Sequence, residues 1–200
     1  MYKLPESIIN IIDEYSGYKE NIKTYYKNNI LDKMVYNKNK IIEAVINNNL
    51  CFIKKCIDNK INIDISNDRD DSILILAIMN EYIDMIKLII NYISDINDNY
   101  NYDFMSPLHF ACDIGNIEIV QLLLENGADT DILDNDFMTP LHYAANRNHF
   151  KIIKKLIKYK AKINLSDKYN RLSIHLTMDQ NITKYLLDKG SYINYSEYKI

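Results

Sequence analysis

Between Ser106 and Gly127 the apolar positions fall on two helical faces in succession. Leu108, Ala111 and Cys112 share one face of a first short helix, opened by Ser106-Pro107, a cap residue followed by a proline suited to the first helical position. Gly115-Asn116 ends that helix. Ile117, Val120, Leu122, Leu123 and Leu124 make a second, more apolar helix, with Gly127 placed as a left-handed cap. The polar run "ADTDILDNDFM" then connects to a second copy of the same pattern. Phe104 and Phe137 stand 33 residues apart, and His109, His142 and His175 keep the same interval. Ala44 and Ala77 extend the register toward the N-terminus, each followed by the same apolar–polar cadence. The pattern predicts five units, at 37–66, 67–100, 101–133, 134–166 and 167–197. Each is helix, turn, helix and long loop, too short to bury its own apolar face, so the units must stack.

"SPLHFACDIGNIEIVQLLLENGAD" and "TPLHYAANRNHFKIIKKLIKYKAK" resemble ankyrin repeats, whose hallmark is Thr-Pro-Leu-His-x-Ala-Ala followed by a Gly-His turn. The resemblance implies an all-α ankyrin-repeat solenoid that recognises proteins and catalyses nothing. It also implies that the repeated histidine hydrogen-bonds within the hairpin loop and to the Ser or Thr two positions before Leu. On that reading His142→Ala should cost ~1–3 kcal/mol through unpaired buried groups. His149, at the usual turn position, takes a structural role by the same resemblance. Two departures stand out. The loop position that is normally Gly is Phe104 and Phe137 here, and the last unit, with "LSIHLTM", has lost three residues between its helices, as suits a C-terminal cap.

Residues 1–36 lie outside the register. "LPESIINIIDEY" reads as a helix with Pro5 in its first turn, and "YKENIKTYYKNNILDKM" as a second amphipathic stretch. This segment is expected to cap the stack. The Leu-Pro-Glu-x-Ile start also resembles the first helix of an F-box and the N-terminal segments of ankyrin proteins in large DNA viruses. Two functions follow: a scaffold that binds a host regulatory protein, or a ubiquitin-ligase adaptor with residues 4–36 as its docking segment.

Composition removes several other classes. A net charge of −3 disfavours a dedicated nucleic-acid binder. No apolar run reaches the ~18 residues of a membrane span, and "MYKLPESIIN" lacks the apolar stretch of a signal peptide. A cytoplasmic monomer is expected. Cys51, Cys56 and Cys112 form no disulfide framework; Cys51 and Cys56, five apart, point to different helix faces. No Gly-rich phosphate loop occurs. Successive histidines on a 33-residue ruler are separated by about a helix-packing distance of 8–10 Å and cannot share a metal. No catalytic residue, cofactor or metal site is therefore assigned. The loop carboxylates are read as turn and cap residues with ordinary pKa values.

The candidate site is a row of loop tips that binds a protein partner: Asp103, Phe104 and Met105; Asp136, Phe137 and Met138; Tyr169 and Arg171. A bulky aromatic where glycine is normal is locally unfavourable. Each ring either folds back over the neighbouring loop or faces outward as an anchor. The acidic loops predict a negative edge and a partner with basic or apolar anchors. Lys151, Lys154, Lys155 and Lys158 share one helix face, expected to be solvated, with a docking stripe for an acidic or phosphate-rich partner as the alternative.

Overall fold

The computed structural model describes residues 37–98 and 103–193. Ten helices succeed one another among these residues, in five successive helix–turn–helix units: α1 (Lys38–Ile46) and α2 (Leu50–Asp58), α3 (Ile73–Met79) and α4 (Ile83–Ile89), α5 (Pro107–Ile114) and α6 (Ile117–Glu125), α7 (Pro140–Asn146) and α8 (Phe150–Lys158), and α9 (Ser173–Leu176) and α10 (Gln180–Asp188). The first helices stack in one layer, α3 on α5 on α7 on α9, and the second helices in another, α2 on α4 on α6 on α8. The fold is an all-α repeat stack. The strand-like pairing among the described residues is confined to two isolated bridges, Ser66 with Ser72 and Ser166 with Leu172.

Local chemistry sets the helix starts. Ser106 and Thr139 sit in extended backbone ahead of Pro107 and Pro140, whose missing N–H would be unsatisfied at that position anyway. Two of the second helices, α6 and α10, begin at a side-chain oxygen that accepts two backbone N–H groups. Asn116 Oδ1 accepts from Glu118 and Ile119 at 3.1 and 3.2 Å, and Asp179 Oδ1 from Asn181 and Ile182 at 2.7 and 3.2 Å. The shortened last unit shows directly: α9 has four residues, and Thr177 already has extended backbone.

Burial follows the helical period with one change from the sequence reading. Leu108, Ala111 and Cys112 are buried on α5, but on α6 Ile119 joins Val120, Leu123 and Leu124 in the core, while Ile117 and Leu122 are only partly covered. Cys56 is buried and Cys51 exposed, so they do face different ways.

The stack has up to three left-handed backbone positions in a unit, yet few glycines. Gly115 (φ 93°), Gly127 (φ 88°) and Gly190 (φ 94°) occupy three of them. Asn48, Glu81 and Asn148 take the inter-helix turn that Gly115 takes, and Lys60 and Lys160 take the place of Gly127. Asp70, Phe104, Phe137 and Asn170 occupy the hairpin tips, with φ of 61°, 54°, 57° and 57°. The Lys, Glu and Phe residues there each cost about 1–2 kcal/mol relative to ordinary helical backbone, whereas Asn and Asp tolerate it better.

Candidate functional site

The hairpin tips are built on one recipe. Its first residue is Asn67, Asp134 or Asp167, whose side-chain oxygen accepts N–H groups two and four residues ahead. Asp134 Oδ1 takes Asp136 and Met138, both at 2.8 Å, and Asp167 Oδ1 takes Tyr169 at 2.9 Å and Arg171 at 2.8 Å. The same backbone then closes a tight turn, with Phe137 N–H donating to Asp134 O at 3.0 Å and Asn170 N–H to Asp167 O at 3.0 Å. A left-handed residue must follow the turn to bring the chain back into register. That residue is Phe137 in one hairpin and Asn170 in the next, so Tyr169 is the counterpart of Asp136 rather than of Phe137.

These carboxylates are more than solvated loop residues. Asp134 and Asp167 are 6 % and 3 % exposed. The second oxygen of Asp134 accepts the Tyr143 hydroxyl at 2.6 Å, and burial together with this bond pushes the Tyr143 pKa up. In the next hairpin a guanidinium replaces the phenol: Arg171 Nε donates to Asp167 Oδ2 at 2.8 Å, and Nη2 pairs with the same oxygen at 2.7 Å. Burial alone would raise the Asp167 pKa, but the hydrogen bonds from Arg171 and Tyr169 outweigh it and hold the carboxyl below its ordinary range. Asp167, a carboxylate the sequence reading did not single out, is therefore not an ordinary solvated loop carboxylate.

Histidines rivet one unit to the next. His109 Nδ1 accepts the Ser106 backbone N–H at 3.0 Å, and Nε2 lies 3.0 Å from the Met138 carbonyl oxygen. His142 repeats this with Thr139 N–H at 3.0 Å and the Arg171 carbonyl at 3.2 Å. A carbonyl can only accept, so Nε2 carries the proton and the ring is neutral. Both rings are fully buried. Desolvation lowers the pKa of both, that of His109 to about 4. The Ser/Thr bond agrees with the sequence reading, and the carbonyl across the unit boundary adds to it. His149 begins α8 and donates from Nε2 to Asp113 O at 3.2 Å, its ring against Gly115. Among the described residues no three His, Cys, Asp or Glu side chains are grouped to hold a metal.

Backbone bonds join the tips into a row: Asn135 N–H to Asp103 O at 3.1 Å, and Lys168 N–H to Asp136 O at 2.9 Å. Phe104, Phe137 and Tyr169 are 48 %, 55 % and 55 % exposed, so none of the three rings is folded away beneath a neighbouring loop. Met105 and Met138 are half-buried beside them. The charge differs from the expected negative edge. Lys168 ion-pairs with Asp136, and Lys168 and Arg171 place their cations 5.0 and 4.9 Å from the Tyr169 ring. The row therefore runs from an acidic tip at Asp103 to a cation-flanked aromatic at Tyr169. Arg171 braces its own hairpin, with its side chain still 40 % exposed.

The family model for ankyrin repeats (3 copies) matches residues 41–134 and 108–197, and the chain belongs to the ankyrin repeat family. Proteins of this family are in general non-catalytic scaffolds that bind other proteins. An ankyrin repeat protein of Acanthamoeba polyphaga mimivirus is 29 % identical over 82 residues, which cover 41 % of this chain and 11 % of that protein. The matched stretch is thus about a tenth of its relative's length. Among the described residues no helix is long and apolar enough to cross a membrane. Residues 1–36, where the cap and the F-box-like motif were read, lie outside the described residues.

Proposed function

We propose that the chain is a protein-binding scaffold whose recognition surface is the row of hairpin tips. Asp103, Phe104 and Met105, Asp136, Phe137 and Met138, and Tyr169 and Arg171 carry it. The observation behind this reading is the pair of half-exposed phenylalanines held at left-handed positions. Glycine, or the asparagine used at 170, would serve the turn better, so the turn itself does not call for these rings. Aromatic anchors that become buried on binding often dominate interface energy, at ~2 kcal/mol or more each. The partner fits as a protein with apolar anchors at its centre and a basic group facing Asp103. By resemblance to large-virus ankyrin proteins it is a host regulatory protein met in the cytoplasm. Residues 1–36 then complete the 37–200 repeat domain as a cap. In the ligase-adaptor alternative, Leu4, Ile8, Ile11 and Ile12 are instead left free to dock.

The test is the double change Phe104→Ala plus Phe137→Ala, with a partner isolated by affinity capture on the unmodified chain. Affinity should fall at least tenfold while the melting temperature holds or rises. A large fall in melting temperature with unchanged affinity of the folded fraction would assign the rings to the fold.

A further inference from the structure

A second surface, remote in character from the hairpin tips, carries a charge imbalance. Residues 103–136 contain eight carboxylates and no Lys or Arg, whereas residues 137–166 contain seven Lys or Arg and no carboxylate. The two stretches neutralise each other only in part. Arg147 pairs with Asp113 at 2.7 Å and Lys162 with Asp131 at 3.4 Å, while Lys155 donates to the neutral Gln121 at 2.7 Å. Lys155 thus leaves the four-lysine stripe read from the sequence and is half-buried. Lys151, Lys154 and Lys158 remain exposed on the outer face of α8, without an ion pair among the described residues.

The neighbouring helix α10 adds cations where a carboxylate would relieve this repulsion. Lys154 Nζ lies 4.0 Å from the Phe150 ring centroid and 5.8 Å from that of Tyr185, and Lys189 Nζ approaches the same Tyr185 ring at 5.6 Å. Phe150 and Tyr185 meet edge to face at 5.4 Å, forming an aromatic floor under the ammonium groups. Asp188 is the one carboxylate of α10, and it makes no ion pair with them. Like charges gathered on one face disfavour the folded chain, whereas an anion set among them is favoured by the same field. Elsewhere in the outer layer the fold does pair its charges, as Lys87 with Glu118 at 3.1 Å.

We propose that the outer face of α8 and α10 docks a short acidic segment of a partner protein, its carboxylates set among Lys151, Lys154, Lys158 and Lys189. Shortness is set by the molecule. Lys151 and Lys158 are two turns apart, about 10 Å at 1.5 Å per residue. Beyond α8 the layer passes to α6, whose charged residues are Glu118 and Glu125. A long polyanion such as a nucleic-acid duplex would extend over those carboxylates and be repelled. An anionic bilayer would want a broad exposed apolar face beside the lysines, whereas Ile152, Ile153 and Leu156 of α8 are buried and the nearby exposed apolar residues are the scattered Tyr159 and Leu187.

The probe is a fluorescein-labelled decapeptide of alternating Glu and Ser, titrated with the full chain and followed by anisotropy. Binding should weaken steeply as salt rises from about 0.05 to about 0.5 M. The triple change Lys151→Gln, Lys154→Gln, Lys158→Gln should lower affinity about tenfold at low salt. The corresponding triple change to Arg should retain it, and circular dichroism of both should match the parent. Equal binding by the Gln variant, or equal binding of a Gln-Ser control peptide, overturns the proposal. So does tighter, lysine-dependent binding of a twenty-nucleotide oligothymidylate, which would reassign the face to nucleic acid. A concentration-dependent dimer lost in the Gln variant would reassign it to a second copy of the chain.

Discussion

His109 makes acid stability a direct readout of how the units are joined. Its ring is 0 % exposed, and its neutral form is required: Nδ1 must accept from Ser106 N–H while Nε2–H donates to Met138 O. Protonation would place a hydrogen on Nδ1 facing a backbone donor, in a fully buried site of low dielectric. Burial takes the pKa from the ordinary 6.5 to about 4. At 1.36 kcal/mol per pKa unit, that difference is worth about 3 kcal/mol of folding free energy. Because the unfolded chain takes up its proton first, the contribution is fully present above pH 6.5 and is lost as pH falls through about 4. His142, shifted the same way by burial, adds to the loss. Asp167, shifted below the ordinary 3.8, contributes in a lower window, lost only as pH falls beneath that value. The assay is urea unfolding followed by circular dichroism at several pH values, for the parent and for His109→Asn. At pH 7 the variant should be less stable by about 2–4 kcal/mol, since the Met138 carbonyl and the Ser106 amide lose well-placed partners. Between pH 7 and pH 4 it should lose about 3 kcal/mol less than the parent. Identical pH slopes in the two proteins would refute the reasoning, as would an imidazole resonance of His109 titrating near 6.5 in the folded chain.

Two further perturbations probe the left-handed positions. Gly115→Ala should lower the melting temperature by several degrees, at about 2–4 °C per kcal/mol. The added Cβ would lie 2.5 Å from two atoms of the His149 ring, at a φ of 93°. Lys160→Gly, at a φ of 69°, should instead raise stability by about 0.5–1 kcal/mol in the same thermal melt, because glycine relieves the left-handed cost at a helix end.

Much of this fold was legible because its signals are local. Ser106-Pro107 and Thr139-Pro140 announce helix starts, Gly127 announces a helix end, and the three missing residues of the last unit reappear as the four-residue α9. What escaped the sequence depends on partners without a side-chain signature. The far half of each histidine rivet is a main-chain carbonyl, Met138 O or Arg171 O, 29 residues away. The left-handed roles of Lys60, Glu81 and Asn148 were hidden because such residues are ordinary on any surface, and only their register with Gly115 and Gly127 exposes them. Arg171 looked like a free binding cation, although its spacing of four from Asp167 was the available clue to their bond. Phe104 and Phe137 were conspicuous as departures from glycine, but the direction of their rings is set by packing and needed the structure.

Hydrogen–deuterium exchange of the chain alone and with its captured partner tests the recognition surface most directly. Slowed exchange is expected at the three tips, residues 103–105, 136–138 and 169–171, centred on Phe104 and Phe137. Unchanged exchange at those tips in a saturated complex, with protection confined to other parts of the stack, would contradict it.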